Sequence, residues 1–129
     1  MVKTLSNQTL KKNDIAPPFR LMGTDNKFYS DQYFNGKCLL VIFICNHCPY
    51  VIDDTQEIAK SYGAVCTPDP FLFDQNRRLV FHGKINDAME PEMTPQEPVM
   101  ENNIRRVLKG ETIEKEFDPS IGCSIKWKS

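Results

Sequence analysis

An α/β fold, a mixed β-sheet flanked by helices, is what this sequence predicts, and three features predict it. "LLVIFI" (39–44) is a continuous β-branched and aromatic run of strand length. "DDTQEIAKSYG" (53–63) and "PVMENNIRRVLKG" (98–110) have helical spacing and end in glycine. Two further pairs of short apolar runs flank turn sequences, as hairpins do. The order is hairpin, strand, helix, hairpin, helix, which fits a single domain at 129 residues.

Taken along the chain, residues 1–13 are polar and read as a flexible N-terminus, with the domain spanning 14–129. "PPFRLMGTDNKFYS" (17–30) is a hairpin turning at Gly23–Asn26. Leu39–Ile44 is a strand buried on both faces. In the helix that follows, Asp54 and Glu57 make a capping box and Gly63 is the stop. Phe71–Phe73 and Leu79–Ile85 form a second hairpin around "DQNR" (74–77). "NDAMEPEMTPQEPVM" (86–100) has no periodicity and reads as a loop. Val99, Ile104, Val107 and Leu108 are the apolar stripe of the last helix. "EKEFDPSIGCSIKWKS" (114–129) is an extended C-terminal tail carrying Cys123 and the only tryptophan.

Charge narrows the functional classes. A net charge of -1 gives no electrostatic reason to expect nucleic acid or an anionic membrane as partner. The opening "MVKTLSNQTLKKND" has no apolar core of a secretory signal, and Cys38–Cys45 is too short an apolar run to span a bilayer. A cytoplasmic location is expected, with organelle import left open. In a reducing compartment, five cysteines point to catalytic or metal-binding thiols before a disulfide framework.

Two of those cysteines form the C-x-x-C of "CNHC", Cys45 and Cys48, directly behind the apolar strand. If the motif opens a helix, its free N–H groups and dipole favour the Cys45 thiolate. Cys48 is then one turn on, close enough to close a disulfide. His47 between them supplies a cation near neutral pH and tunes the thiol further. Such a pair suits thiol–disulfide exchange.

"CNHCPYV" after "VIFI", then "YGAVCTPDPFLFD", then "PSIGCSIKW" resemble the thioredoxin-like branch of the AhpC/TSA–redoxin superfamily. The N-terminal "APPFRLMGTDNKFYSDQYFNGK" is similar to that superfamily's opening hairpin, so the resemblance runs from Asp14 onward. It implies a thioredoxin-like fold, an antioxidant or redox role, Cys45 as attacking thiol and Cys48 as resolving thiol. It also implies that Thr67 and Pro68 form the substrate-binding loop, with a cis peptide between them. The sequence departs from the superfamily twice. It lacks the P-x-x-x-T-x-x-C of peroxiredoxins proper, so peroxidase activity of that kind is not expected. Only the nineteen residues 49–67 separate C-x-x-C from Pro68. The resembled fold places there the rest of a helix and a parallel strand, so the sheet is expected to be truncated by an internal segment.

A structural role competes with each of these readings. Cys66 and Cys123 could be additional redox thiols or inert bystanders; Cys38 reads as core. A zinc site built from Cys45, Cys48, Cys66, Cys123, His47 and His82 has the right ligand types but no second C-x-x-C. His82 reads as structural, and Met89, Met93 and Met100 as loop and helix edge. The alternative to an enzyme is a non-catalytic thioredoxin-like relic that binds a partner or metal through its cysteines. For the enzyme, the expected partners are protein or small-molecule disulfides and an unidentified electron donor, without a cofactor. The unguarded Leu39–Ile44 edge would be covered by the chain's own N-terminal segment, pair in a homodimer, or aggregate.

Overall fold

The computed structural model describes residues 3–44, 53–88 and 92–128. In chain order the elements are β1 (Lys3–Leu5), β2 (Arg20–Met22), β3 (Phe28–Ser30), a 3₁₀ turn (Asp31–Phe34), β4 (Leu39–Phe43) and α1 (Glu57–Tyr62). They continue with β5 (Cys66–Thr67), β6 (Asp69–Phe73), β7 (Leu79–Gly83), α2 (Val99–Leu108), β8 (Phe117–Asp118) and β9 (Ile121–Ser124). The main sheet runs β4–β6–β7–β8 and is mixed, since β7 and β8 are parallel and the other pairs antiparallel. A second sheet runs β1–β9–β5, and β2–β3 is a separate hairpin. The chain is thus a mixed α/β protein, mostly sheet with two helices among the described residues.

The β2–β3 hairpin turns where its residues allow, with Asn26 at φ 63° and the Gly23 N–H donating to the Lys27 carbonyl at 2.7 Å. The second hairpin, β6–β7, turns on Asp74, whose carboxylate accepts from the Asn76 and Arg78 N–H groups at 2.8 and 3.0 Å.

The strand buried on both faces is β6, where all five residues are buried; β4 is not. Leu40, Ile42 and Ile44 are 38, 37 and 39% exposed, whereas Leu39 is buried and Val41 and Phe43 pack on the core. The reason is position. Among the described residues β4 has a strand neighbour only in β6, and its even-numbered residues line an open groove with Phe19, Tyr29 and Phe34.

Helix α1 starts at Glu57, later than the sequence suggested. The N-cap, Gln56, sits in the left-handed region at φ 64° without a side-chain cap bond, and Asp53, not Asp54, supplies the carboxylate to the first turn. The Asp53 carboxylate accepts from the Ile58 and Ala59 N–H groups at 3.3 and 2.8 Å, while Asp54 pairs with Lys128 at 3.0 Å. A cap of this kind contributes about 1 kcal/mol. Gly63 ends the helix as expected, at φ 74° and so close to Thr9 that a Cβ would lie 2.3 Å from its side chain.

In α2 the buried residues are Val99, Met100 and Asn103, with Ile104 and Val107 packed alongside. Leu108 is 69% exposed, contrary to the expected stripe. At roughly 100° per residue it falls on the opposite side of the helix from Val99.

Both chain ends are more structured than their composition implied. Residues 3–5, within the stretch read as flexible, form β1 and pair with β9 from Lys3↔Cys123 to Leu5↔Ile121. Ser6 is buried and exchanges hydrogen bonds with Ser120, and the Thr4 and Ser124 hydroxyls bond across the sheet. The extended tail supplies β8 and β9. Ladder hydrogen bonds come from the backbone, so polar side chains do not oppose them.

Two cores flank the main sheet. Phe71, Phe73, Tyr62, Leu39 and Leu79 fill one, with Phe43, Tyr62 and Phe71 in edge-to-face contact at 5.3–5.9 Å. Leu72, Phe81, Val99, Met100 and Ile113 fill the other, beneath α2.

Candidate functional site

The β4–β6 register fixes where β4 ends. Leu39 pairs with Phe73 and Phe43 with Asp69, so the end of β4 lies beside the start of β6. Ile44 comes next, and the residue after it in sequence is Cys45. Cys45, His47 and Cys48 themselves lie outside the described residues. On the β6 side, Cys66–Thr67 form β5, and the Thr67–Pro68 peptide that joins it to β6 is cis, as expected.

Strand β9 closes the site from the other side, with Cys66 opposite Ser124 and Thr67 opposite Cys123. This approach needs a glycine. A Cβ on Gly122 would lie 2.0 Å from the Thr67 carbonyl oxygen. Directly paired residues of an antiparallel ladder share a face and successive residues alternate. Cys66 and Cys123 are therefore diagonal neighbours on opposite faces, and this register does not bring their sulfurs together. Cys66 is wholly buried, and its thiol is pushed up to about 11, chiefly by burial and secondarily by the Asp69 charge. Cys123 is half-buried next to Thr67. Cys38, expected in the core, is only half-buried; burial followed by the Asp74 charge raises its thiol.

One group in the site was not singled out from the sequence. Asp69, the residue after Pro68, is completely buried, and so is His82 of β7, which pairs with Phe71. Asp69 Oδ1 lies 2.7 Å from His82 Nε2 and accepts from the Ser120 hydroxyl at 3.3 Å. The His82 ring stacks on Phe71, with centroids 3.9 Å apart and planes 12° from parallel. Asp69 Oδ2 and His82 Nδ1 are buried without a hydrogen-bond partner. Burial raises the Asp69 carboxyl above its ordinary range, opposed by the His82 and Ser120 bonds. The available signal was an acidic residue flanked by prolines, directly before the apolar "FLF", where strands rarely hold one. The structural reading of His82 agrees with its burial and stacking.

Among the described residues, no three His, Cys, Asp or Glu side chains are grouped so as to hold a metal. Met100 lies in the second core and Met93 at the surface. No described helix is long and apolar enough to cross a membrane.

Two solved structures superpose on nearly the whole chain. A hypothetical protein from Sinorhizobium meliloti 1021 is 27% identical with a TM-score of 0.87, covering 98% of this chain and 99% of that one. An uncharacterized conserved protein from Geobacillus kaustophilus is 25% identical with a TM-score of 0.89, covering 99% and 97%. Their names state no activity. No protein-family model and no curated protein matches this chain.

Proposed function

We propose that this chain is a thiol–disulfide oxidoreductase of thioredoxin-like fold, with Cys45 as the attacking thiol and Cys48 as the resolving thiol. The observation that supports the reading is the pairing of Phe43 with Asp69, which brings the end of β4, two residues before Cys45 in sequence, beside the Thr67–Pro68 loop. An extended substrate segment bound along that loop would present its disulfide to Cys45. The Cys45 thiolate attacks one substrate sulfur, forming a mixed disulfide and releasing the other sulfur as a thiolate. Cys48 then attacks Cys45, closing the Cys45–Cys48 disulfide and freeing the second substrate thiol. Two electrons have passed to the substrate, and an external dithiol restores the protein.

Blocking the second step tests this directly. Cys48→Ser should accumulate a mixed disulfide with an added model disulfide such as oxidised glutathione. Intact-mass analysis should find the adduct on Cys45 in near-stoichiometric yield, and wild type should clear it. Equal persistence in both proteins would remove Cys48 from the reaction.

A further inference from the structure

The backbone of Thr67, along which an extended substrate would bind, is already occupied. The Ile125 N–H donates to the Val65 carbonyl at 2.9 Å, and Cys66 and Thr67 follow in register with Ser124 and Cys123. Bonded and non-bonded pairs alternate along an antiparallel ladder, and one residue's N–H and C=O point to the same side. Thr67–Cys123 is therefore the next bonded pair after Val65–Ile125, and both backbone polar groups of Thr67 face β9. The close approach of Gly122 to the Thr67 carbonyl agrees with this. Strand β9 is also the only strand partner of β5 among the described residues.

The hold on the β5 side is slight. It spans two residue pairs, whereas β1 pairs with β9 over three and adds the Thr4–Ser124 hydroxyl bond. Beyond β9, the tail is fastened at the start of α1. The Gln56 side-chain amide donates to the Lys126 carbonyl at 3.0 Å and accepts from the Lys128 N–H at 2.7 Å, as a neighbouring strand would. Lys128 also pairs with Asp54 at 3.0 Å, and Lys60 Nζ lies 5.5 Å from the Trp127 ring centre. These contacts are solvent-exposed, so each contributes little and can be exchanged for water.

We propose that β9 is a resident competitor for the Thr67 edge. An extended polypeptide docks there by displacing the β1–β9 ribbon from β5, and the Gln56 latch on residues 126–128 sets how readily the ribbon leaves. This rests on reading Thr67–Pro68 as the substrate loop of an oxidoreductase. The exchange conserves hydrogen bonds, because the N–H and C=O of Thr67 pass from the Cys123 backbone to that of the incoming strand. It also discriminates by substrate class. An unfolded polypeptide must displace β9, whereas a small disulfide such as oxidised glutathione has no strand to pair and bypasses the competition.

Trp127, the only tryptophan, reports the latch. The probe is carboxymethylated insulin B chain, an extended polypeptide without free thiol, disulfide or tryptophan, titrated into the wild-type protein. Acrylamide quenching of Trp127 should rise toward that of a fully exposed indole as the B chain saturates. Gln56→Gly removes the latch and suits the left-handed backbone at that position. The B chain should bind this variant roughly tenfold tighter, equivalent to about 1.4 kcal/mol. A B chain that fails to bind, binds without exposing Trp127, or binds both proteins equally would overturn the proposal. Because the probe cannot exchange thiols, this result is independent of the chemistry. Failure of Cys48→Ser to trap glutathione would instead reject the oxidoreductase reading, and the titration would still decide whether β9 yields its edge.

Discussion

Replacing Cys45 by serine should reduce insulin-disulfide reduction to the rate without protein. A serine hydroxyl is not ionised near neutral pH and cannot form the mixed disulfide, so no partial activity is expected. The effect should exceed that of Cys48→Ser, which stops turnover but retains the first attack. The structure changes the physical basis of this expectation. The first described helix after the motif is α1, which begins at Glu57, and its first N–H groups are already bonded by Asp53. The dipole of α1 is therefore no basis for a favoured Cys45 thiolate, and the expectation rests on the cation that His47 would supply. His47→Ala should accordingly slow attack at pH 7 without altering the fold. Retained insulin reduction in Cys45→Ser would assign the activity to another thiol.

Ile42→Lys should convert a self-associating protein into a monomer. Strand β4 offers a second strand the backbone of its outer edge, and Leu40, Ile42 and the following Ile44 on its adjoining face are each more than a third exposed and uncharged. An apolar groove of about 540 Å³ lies along it, lined by Phe19, Tyr29, Phe34, Leu40 and Ile42 among others. One of the three outcomes expected from the sequence is ruled out, because β1 of the N-terminal segment pairs with β9 and not with β4. Pairing of two copies along β4 would satisfy the edge and bury those side chains. A lysine at position 42 would place a charge in the middle of that contact. Light scattering on dilute protein should show a concentration-dependent dimer for wild type and a monomer for the variant. A wild-type monomer with the same solubility as Ile42→Lys would refute the edge argument.

The parts of the fold legible in the sequence were those specified locally. Gly23–Asn26 and Asp74–Arg77 marked their turns, Gly63 its helix end, and the Val99–Val107 spacing its helix. What was not legible depends on partners distant in the chain. Lys3 pairs with Cys123, and no pattern in either "KTL" or "IGCS" announces it. The composition of β4 suggested a central strand, but centrality is conferred by neighbours, and here they flank β6. Asp53 displaced Asp54 as the carboxylate on the first turn because Gln56 turns the chain just before α1. In the site, Thr67 and Pro68 were read from the sequence together with their cis peptide. Asp69 was not, because its significance arises only when β7 and the β8–β9 connection bring His82 and Ser120 onto one of its oxygens.

The central claim is that Cys45, which follows the end of β4 in sequence, is the reactive thiol of this chain. Timed alkylation of the reduced native protein at pH 7, resolved by peptide, tests it most directly. Cys45 should react fastest, at a pH well below the free-thiol value of about 8.5. Cys38 should follow slowly, and Cys66, wholly buried with its thiol pushed up to about 11, should react last. A Cys45 that reacts no faster than Cys38 would contradict the account.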